Sequence, residues 1–240
     1  METSQVIRDL RVAVSGGTSG LGLALVRRFA DRGANVVFVA RSADAVESVA
    51  TQTGAVGIVG DVGDKDAIYP MALQITGNLD GIDVLINNAS SLGPTPLALL
   101  ADTECEELEE ALSVNLVGPF RLTKALYGSL AASAREKRGS VVVNISSDAA
   151  VNAYPEWGAY GASKAALRHL TSIWNKESDA VGVRFLSIDP GDMDTPLHAL
   201  AVPDADVLAL KHPDQSAAEI IAAIMAALPD RSVALHGDRP

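Results

Sequence analysis

Hydrophobic residues in this chain gather in short continuous runs, and between the runs they recur at helical spacing. The runs are Arg11–Ser15 (RVAVS), Asn35–Ala40 (NVVFVA), Ala55–Val59 (AVGIV), Ile82–Asn87 (IDVLIN), Ser140–Ser146 (SVVVNIS), Val183–Ile188 (VRFLSI) and Ser232–Leu235 (SVAL). Unbroken apolar runs of this length, bounded by turn residues, read as strands buried on both faces. The intervening segments predict helices from the turn after Ser15 to about Arg32, over Ala43–Ala50 with Ser42 as N-cap, and from Asp64 to about Thr76. Further helices are expected over about Thr103–Ala132, about Trp157–Ser178 and Asp214–Leu228. Gly33 ends the first of them. Strand and helix alternate throughout, which predicts an α/β fold: one doubly wound parallel sheet of about seven strands with helices on both faces. The 240 residues suit a single domain over 1–240.

Composition narrows the partners. The formal net charge is -11, and there is no basic cluster, which argues against nucleic acid and anionic membrane surfaces. No apolar run approaches the ~18 residues that a membrane span needs. The opening METSQVIRDL lacks the basic and apolar regions of a signal peptide. The one cysteine, Cys105, permits no internal disulfide, and a reducing cytoplasm is the expected location. The four histidines have no metal-ligand spacing, so no metal is expected.

In a parallel sheet, ligands bind beyond the carboxyl ends of the strands. The glycine turn Gly16-Gly17-Thr18-Ser19-Gly20-Leu21-Gly22, Asp61, Asn88, Ser147 and Pro190 all fall there. A glycine-rich turn between a strand and a helix lets the backbone approach a pyrophosphate, which the helix N-terminus stabilises. Farther along, Tyr160 and Lys164 stand four residues apart and share one face of a helix. An ammonium beside a phenol draws the phenol pKa down from ~10, so Tyr160 is expected to serve as an acid or base. Ser147, from the end of the preceding strand, is placed to donate to the same substrate oxygen. Pro119 lies four residues after Asn115. It has no N–H, so the Asn115 carbonyl loses its helical partner close to this edge.

These motifs resemble the short-chain dehydrogenase/reductase family over nearly the whole chain. Ser15–Gly22 (SGGTSGLG) is similar to its cofactor turn, with Ser15 where threonine is common. Asn87–Ser90 (NNAS) resembles its NNAG, with Ser90 in place of glycine. Asn115, Ser147, Tyr160 and Lys164 match its catalytic tetrad, and Pro190–Thr195 (PGDMDT) matches its PGxxxT segment. The resemblance implies a Rossmann-type sheet whose cofactor half covers about 1–90 and whose catalytic and substrate half covers about 91–240. It implies a dinucleotide held by Gly16, Thr18, Ser19, Gly20, Leu21, Gly22, Arg41, Asp61, Val62, Asn88, Ala89, Val114, Tyr160, Lys164, Pro190, Gly191, Met193 and Thr195. It also implies that the Asn115 carbonyl holds a water linking Lys164 to solvent, and that the two long helices pair copies into a homodimer or homotetramer.

The activity so implied is NAD(P)-dependent hydride transfer between cofactor and a carbonyl or alcohol, with Tyr160 as general acid. Ala40 stands where NAD-selective members place an acid, and Arg41, which follows, suits a 2′-phosphate, which favours NADP(H), with NAD(H) possible. Leu92, Pro94, Ala149, Val151, Tyr154, Trp157, Met193, Leu197 and His198 make a largely apolar wall. Ala149, Tyr154, Trp157 and Met193 are the expected substrate contacts, and a hydrophobic ketone or aldehyde is the expected substrate. Residues 195–212, with two prolines and little clear pattern, are expected to form a lid. The alternatives are an NAD-linked alcohol dehydrogenase working in the oxidising direction and a non-catalytic NADP sensor.

Overall fold

The computed structural model of the chain describes residues 7–136 and 138–229. Six strands form one parallel sheet: β1 (Arg11–Ser15), β2 (Asn35–Ala40), β3 (Val56–Val59), β4 (Val84–Asn87), β5 (Ser140–Ile145) and β6 (Val183–Ile188). Their order is β3-β2-β1-β4-β5-β6, so the chain changes direction across the sheet between β1 and β4. That switch point opens a crevice at the carboxyl ends of the two strands. The strand expected over Ser232–Leu235 lies outside the described residues.

Alternate residues of each strand feed opposite layers, as the pleat requires. Val12, Val14, Val36, Phe38, Val84, Ile86, Val141 and Val143 pack on one side. There they meet α1 (Gly20–Asp31), α2 (Ala43–Thr53) and α8 (Pro213–Ala227). Ala13, Val37, Val39, Ile58, Leu85 and Val142 pack on the other side, against α3 (Ile68–Leu79) and α5 (Gly118–Arg135). Each fully buried aliphatic side chain contributes roughly 1.5–3 kcal/mol, so the two layers fix the register of every strand.

Two expectations are corrected. The single helix expected over about Thr103–Ala132 is two helices, α4 (Cys105–Leu112) and α5, joined by a π turn at Ser113–Val117. Gly118 packs on the Val62 carbonyl, where a Cβ would sit 2.6 Å from the oxygen. Its N–H donates to the Ser113 carbonyl, five residues back. Pro119 then has no N–H to return the chain to α spacing at once. The helix expected from Asp64 begins instead at Ile68. Asp61 Oδ1 accepts from Gly63 N (2.8 Å) and Asp64 Oδ1 from Asp66 N (2.9 Å), and these side-chain turns hold the backbone out of the helix.

The segment over 195–212, expected to form a lid, carries regular structure. Pro196–Ala201 is a helix, α7, whose cap Thr195 accepts from His198 N through Oγ1 (3.2 Å). A 3-10 turn follows at Val207–Ala209. Asp194 N donates to the Lys211 carbonyl (3.0 Å) and Lys211 N to the Asp192 carbonyl (2.9 Å), which pins the two ends of the segment together.

Candidate active site

The crevice begins with the glycine turn. Gly16 and Gly20 have φ of 72° and 48°, the left-handed region that side-chain-bearing residues avoid. Gly22 lies under the turn: a Cβ there would come 2.0 Å from the Gly16 carbonyl oxygen, so only glycine lets α1 settle onto β1. Ser15 Oγ accepts from Asn88 N (3.0 Å) and Ala89 N (3.2 Å). Asn88 Nδ2 donates back to the carbonyls of Ser15 (3.0 Å) and Gly16 (3.2 Å). The hydroxyl at position 15 and the amide at 88 thus lace β1 to β4 at the mouth of the crevice. Ser19, the N-cap of α1, makes no side-chain cap bond, and the first turn carries no acid. The free N–H groups at that helix end therefore suit an anion.

Beneath the floor runs a buried polar row. Asn87 Nδ2 donates to Asn144 Oδ1 (2.8 Å) and Thr123 Oγ1 (3.1 Å), and Asn144 Nδ2 to Thr171 Oγ1 (2.8 Å). The row ties β4 and β5 to α5 and to α6 (Gly158–Glu177). Helix α6 brings Tyr160 and Lys164 to the crevice, both buried. Lys164 Nζ lies 5.5 Å from the Tyr160 ring centroid and donates to the Ile145 carbonyl (2.9 Å). Trp157 packs edge-on against Tyr160, with centroids 5.6 Å apart. Ser147, just past β5, donates through Oγ to Asp148 Oδ1 (3.1 Å) and accepts from Ala149 N (3.2 Å). Tyr154 Oη donates to the other carboxylate oxygen of Asp148 (2.7 Å).

Burial dominates the ionisation of the pair. It pushes the Tyr160 phenol up to about 12, while the facing hydroxyls of Ser147 and Ser90 favour the ionised form and the carboxylates of Asp189 and Asp148 oppose it. Burial also lowers Lys164 to about 8. The expected depression of Tyr160 by Lys164 is therefore corrected for the protein alone: desolvation penalises both charges, and the lysine does not offset it.

Asn115 is fully buried, with every hydrogen-bonding position of its amide occupied. Oδ1 accepts from Ser91 N (2.8 Å) and Ser90 Oγ (3.1 Å); Nδ2 donates to the Ser91 carbonyl (2.7 Å) and Ser163 Oγ (2.9 Å). Its side chain is a clamp between the loop after β4 and α6.

One cavity of about 1270 Å³ gathers most of the expected residues. Gly16, Thr18, Ser19, Gly20, Leu21, Arg41, Asp61, Val62, Asn88, Ala89, Val114, Pro190, Gly191, Met193 and Thr195 line it, together with Ser147, Tyr160 and Lys164. Ala149, Tyr154, Trp157, Leu92, Leu197 and His198 line it as well; Gly22, Asn115, Pro94 and Val151 are not on its wall. Val151 points to solvent, 65% exposed, because it ends the 3-10 turn at Asp148–Ala150. The wall is also less apolar than expected. Asp148, Glu110 and Asp192 line it, and Leu200 and Ala201 of α7 join the apolar part. Sequence reasoning passed over Asp148 although it directly follows Ser147, and passed over α7 although Thr195-Pro196 is a helix-start signal.

The fit to a dinucleotide can be judged on the chain itself. Gly16 and Gly20 bring no side chain to the turn, Ser19 makes no side-chain cap bond at the start of α1, and Ser146 Oγ, on the cavity wall, is buried with no partner among the described residues. Those features fit an extended anionic ligand with hydroxyl groups.

The chain belongs to the short-chain dehydrogenase family, whose model matches residues 11–206. It is 33% identical over 230 residues to an uncharacterised oxidoreductase of Mycobacterium bovis, covering 92% of this chain and 66% of that protein. The chain therefore spans just under two thirds of that relative's length. It is 32% identical over 187 residues to a serine 3-dehydrogenase of Agrobacterium fabrum, covering 77% of this chain and 72% of that one. The crystal structure of a 3-ketoacyl-(acyl-carrier-protein) reductase from Brucella melitensis, complexed with NADH, superposes with a TM-score of 0.85 at 24% identity. It covers 93% of this chain and 94% of that one, and shares the fold. Among the described residues no helix is long and apolar enough to cross a membrane, and no acid, histidine and cysteine group could hold a metal ion.

Proposed function

We propose that the chain is an NAD(P)-dependent oxidoreductase that interconverts a carbonyl and an alcohol, in the reducing direction with NADPH. The observation that carries this reading is the meeting, in one cavity, of a buried tyrosine, its lysine one turn on, a serine hydroxyl and a glycine-rich turn at a helix N-terminus. A bound nicotinamide cofactor supplies the hydride. The protein supplies geometry, exclusion of water and the proton.

Glycines 16 and 20, with the N-terminus of α1, hold the pyrophosphate. Asp61, Val62 and Val114 flank the adenine side, and Pro190–Thr195 the nicotinamide side. Tyr160 at about 12 is protonated at neutral pH, which is the form that donates to a carbonyl oxygen as it becomes an alkoxide. Lys164, at about 8, is mostly charged at neutral pH. The Ile145 carbonyl accepts from that ammonium, and its charge favours the phenolate once the proton has left. Ser147 positions the same substrate oxygen. Asn115 holds the loop and α6 in register, and Pro119, lacking an N–H, leaves the nearby main chain able to hold a water in the proton path.

Arg41 supports the preference for NADP(H). It lines the cavity directly after Ala40 and is exposed, with Ser42 behind it capping α2. A planar multi-donor cation suits a 2′-phosphate. Arg41→Ala will lower kcat/KM for NADPH by roughly 10-fold, the worth of one charge-assisted contact, and leave NADH nearly unchanged. A higher kcat/KM for NADH than NADPH in the parent chain contradicts the preference.

The apolar wall of Leu92, Trp157, Leu197 and Leu200 favours a hydrophobic ketone or aldehyde. A second reading rests on Asp148, whose carboxylate stands beside Ser147 in the substrate half. It suits a β-hydroxy substrate carrying an ammonium group, and the Agrobacterium relative is a serine 3-dehydrogenase. Nicotinamide absorbance with an aromatic ketone in one series and a β-hydroxy amino acid in the other separates the two; turnover of neither class, with tight NADPH binding, refutes both.

Two copies are proposed to pair across α5 and α6. Leu116, Val117, Phe120, Ala166, Leu170 and Ile173 form an apolar hollow there, and Ile173 is 41% exposed. Light scattering is expected to give at least a dimer; a monomer at assay concentration counts against the pairing.

A further inference from the structure

We infer that Ser216 is a positioning residue for the nicotinamide side of the crevice: from α8 it holds the Pro190 carbonyl, and with it the loop over 190–195, in the shape that receives the cofactor ring. The inference rests on the reading that a nicotinamide dinucleotide fills the crevice with its ring at Pro190–Thr195.

Ser216 stands near the start of α8 and is fully buried. It falls in line with Ile220 and Ile224, the stripe that packs α8 into the core beside α1. An aliphatic residue would fit that stripe, and a hydroxyl there needs a partner. The partner is the carbonyl of Pro190, itself buried, which accepts from Ser216 Oγ (2.8 Å). Other ties hold the rest of the loop. Gly191 N donates to Asp189 Oδ1 (2.9 Å). The Asp192 carbonyl accepts from Lys211 N (2.9 Å) and Asp194 N donates to the Lys211 carbonyl (3.0 Å). The Lys211 ammonium donates in turn to Glu219 of α8 (2.7 Å).

Helix α8 is a firm support. Its Ile220, Ile221 and Ile224 share the core with Leu25, Val26 and Phe29 of α1, and both carboxylate oxygens of Asp214 accept from Arg28 of α1. Helix α1 begins at the glycine turn, so the Ser216 bond refers both walls of the crevice to one packed helix pair. The far end of the loop comes back to that turn: a Cβ at Gly20 would lie 3.0 Å from Thr195 Cγ2. Without the hydroxyl, the Pro190 peptide turns toward water, because a buried carbonyl left without a donor is costly. A ligand that needs the original shape must reverse that turn and binds more weakly. The adenosine half of a dinucleotide, beside Arg41, Asp61 and Val62, needs no such reversal.

The test compares the parent chain with Ser216→Ala, which removes one oxygen and keeps the helix stripe filled. Calorimetric titration with NADPH is set against 2′,5′-ADP, which carries the phosphorylated adenosine and no nicotinamide. NADH and AMP are the matching pair without the 2′-phosphate. The variant is expected to bind the whole dinucleotide roughly 10-fold more weakly, the effect of one buried acceptor left without its donor. Its affinity for the adenosine half should stay within about twofold of the parent, because that half lies away from the substituted contact. Unchanged affinity for the whole dinucleotide, or equal weakening of both ligands, overturns the inference while leaving the dinucleotide reading intact. A parent chain that binds neither NADPH nor NADH refutes that reading, and the inference with it.

Discussion

Tyr160→Phe is expected to lower kcat for carbonyl reduction by about 10²- to 10⁴-fold, the usual contribution of a positioned proton donor. The phenyl ring fills the same space, so Trp157 keeps its edge-on partner and the apolar wall survives. What disappears is a single hydroxyl. Tyr160 is 8% exposed and Lys164 2%, so water has little room to replace the lost proton donor. The glycine turn is supported by Ser15 and Asn88, neither of which touches the tyrosine, so NADPH affinity should change by less than about threefold. The measurement is kcat on an active ketone beside a fluorescence titration of bound NADPH. If kcat stays within a factor of ten of the parent, Tyr160 is not the proton donor. If NADPH binding falls with it, the substitution has disturbed the crevice and the loss of rate says nothing about proton transfer.

The elements that position this site were legible because each rests on a local rule. The apolar runs became strands with both faces covered. The tyrosine and lysine met because four residues make one helical turn, and the glycines marked a turn that tolerates no Cβ. What escaped was decided by contacts between segments distant in sequence. The break at Ser113–Val117 depends on Gly118 meeting the Val62 carbonyl, which no periodicity records. The phenol and ammonium were expected to help each other because spacing shows proximity. Spacing does not show desolvation, and burial drives the two pKa values in the directions that favour the neutral forms. Asn115 was expected to matter through its carbonyl, yet its side chain makes four bonds between two segments. Ser90 was noticed only as a departure from glycine; its partner Asn115 comes from another element.

The largest effect on stability is expected at the other end of the sheet. Asp83 lies just before β4 inside an apolar run, and its side chain is fully buried. Arg11 Nη2 donates to Oδ1 (2.9 Å) and Arg11 N to Oδ2 (3.1 Å). Arg138 donates from Nη2 to Oδ2 (2.8 Å) and from Nε to Oδ1 (3.1 Å). One carboxylate therefore joins β1, β4 and the segment entering β5. Asp83→Asn keeps the volume but replaces one acceptor oxygen with an N–H₂ that faces guanidinium donors. Arg11 keeps the Asp80 carbonyl and Ser133 Oγ, and Arg138 keeps the Asp9 carbonyl, but both lose the buried carboxylate that held them together. Removing one partner of a buried ion pair costs about 3–5 kcal/mol, a large share of the roughly 5–15 kcal/mol that holds a domain folded. Urea unfolding should show a much lower midpoint with the slope unchanged. At temperatures where the variant remains folded, NADPH affinity should match the parent, because the cluster sits at the amino ends of the strands and the crevice at the carboxyl ends. A midpoint within experimental error of the parent would mean that the arginines find water or another acceptor when the carboxylate is gone, and that the cluster does not clamp the three strands.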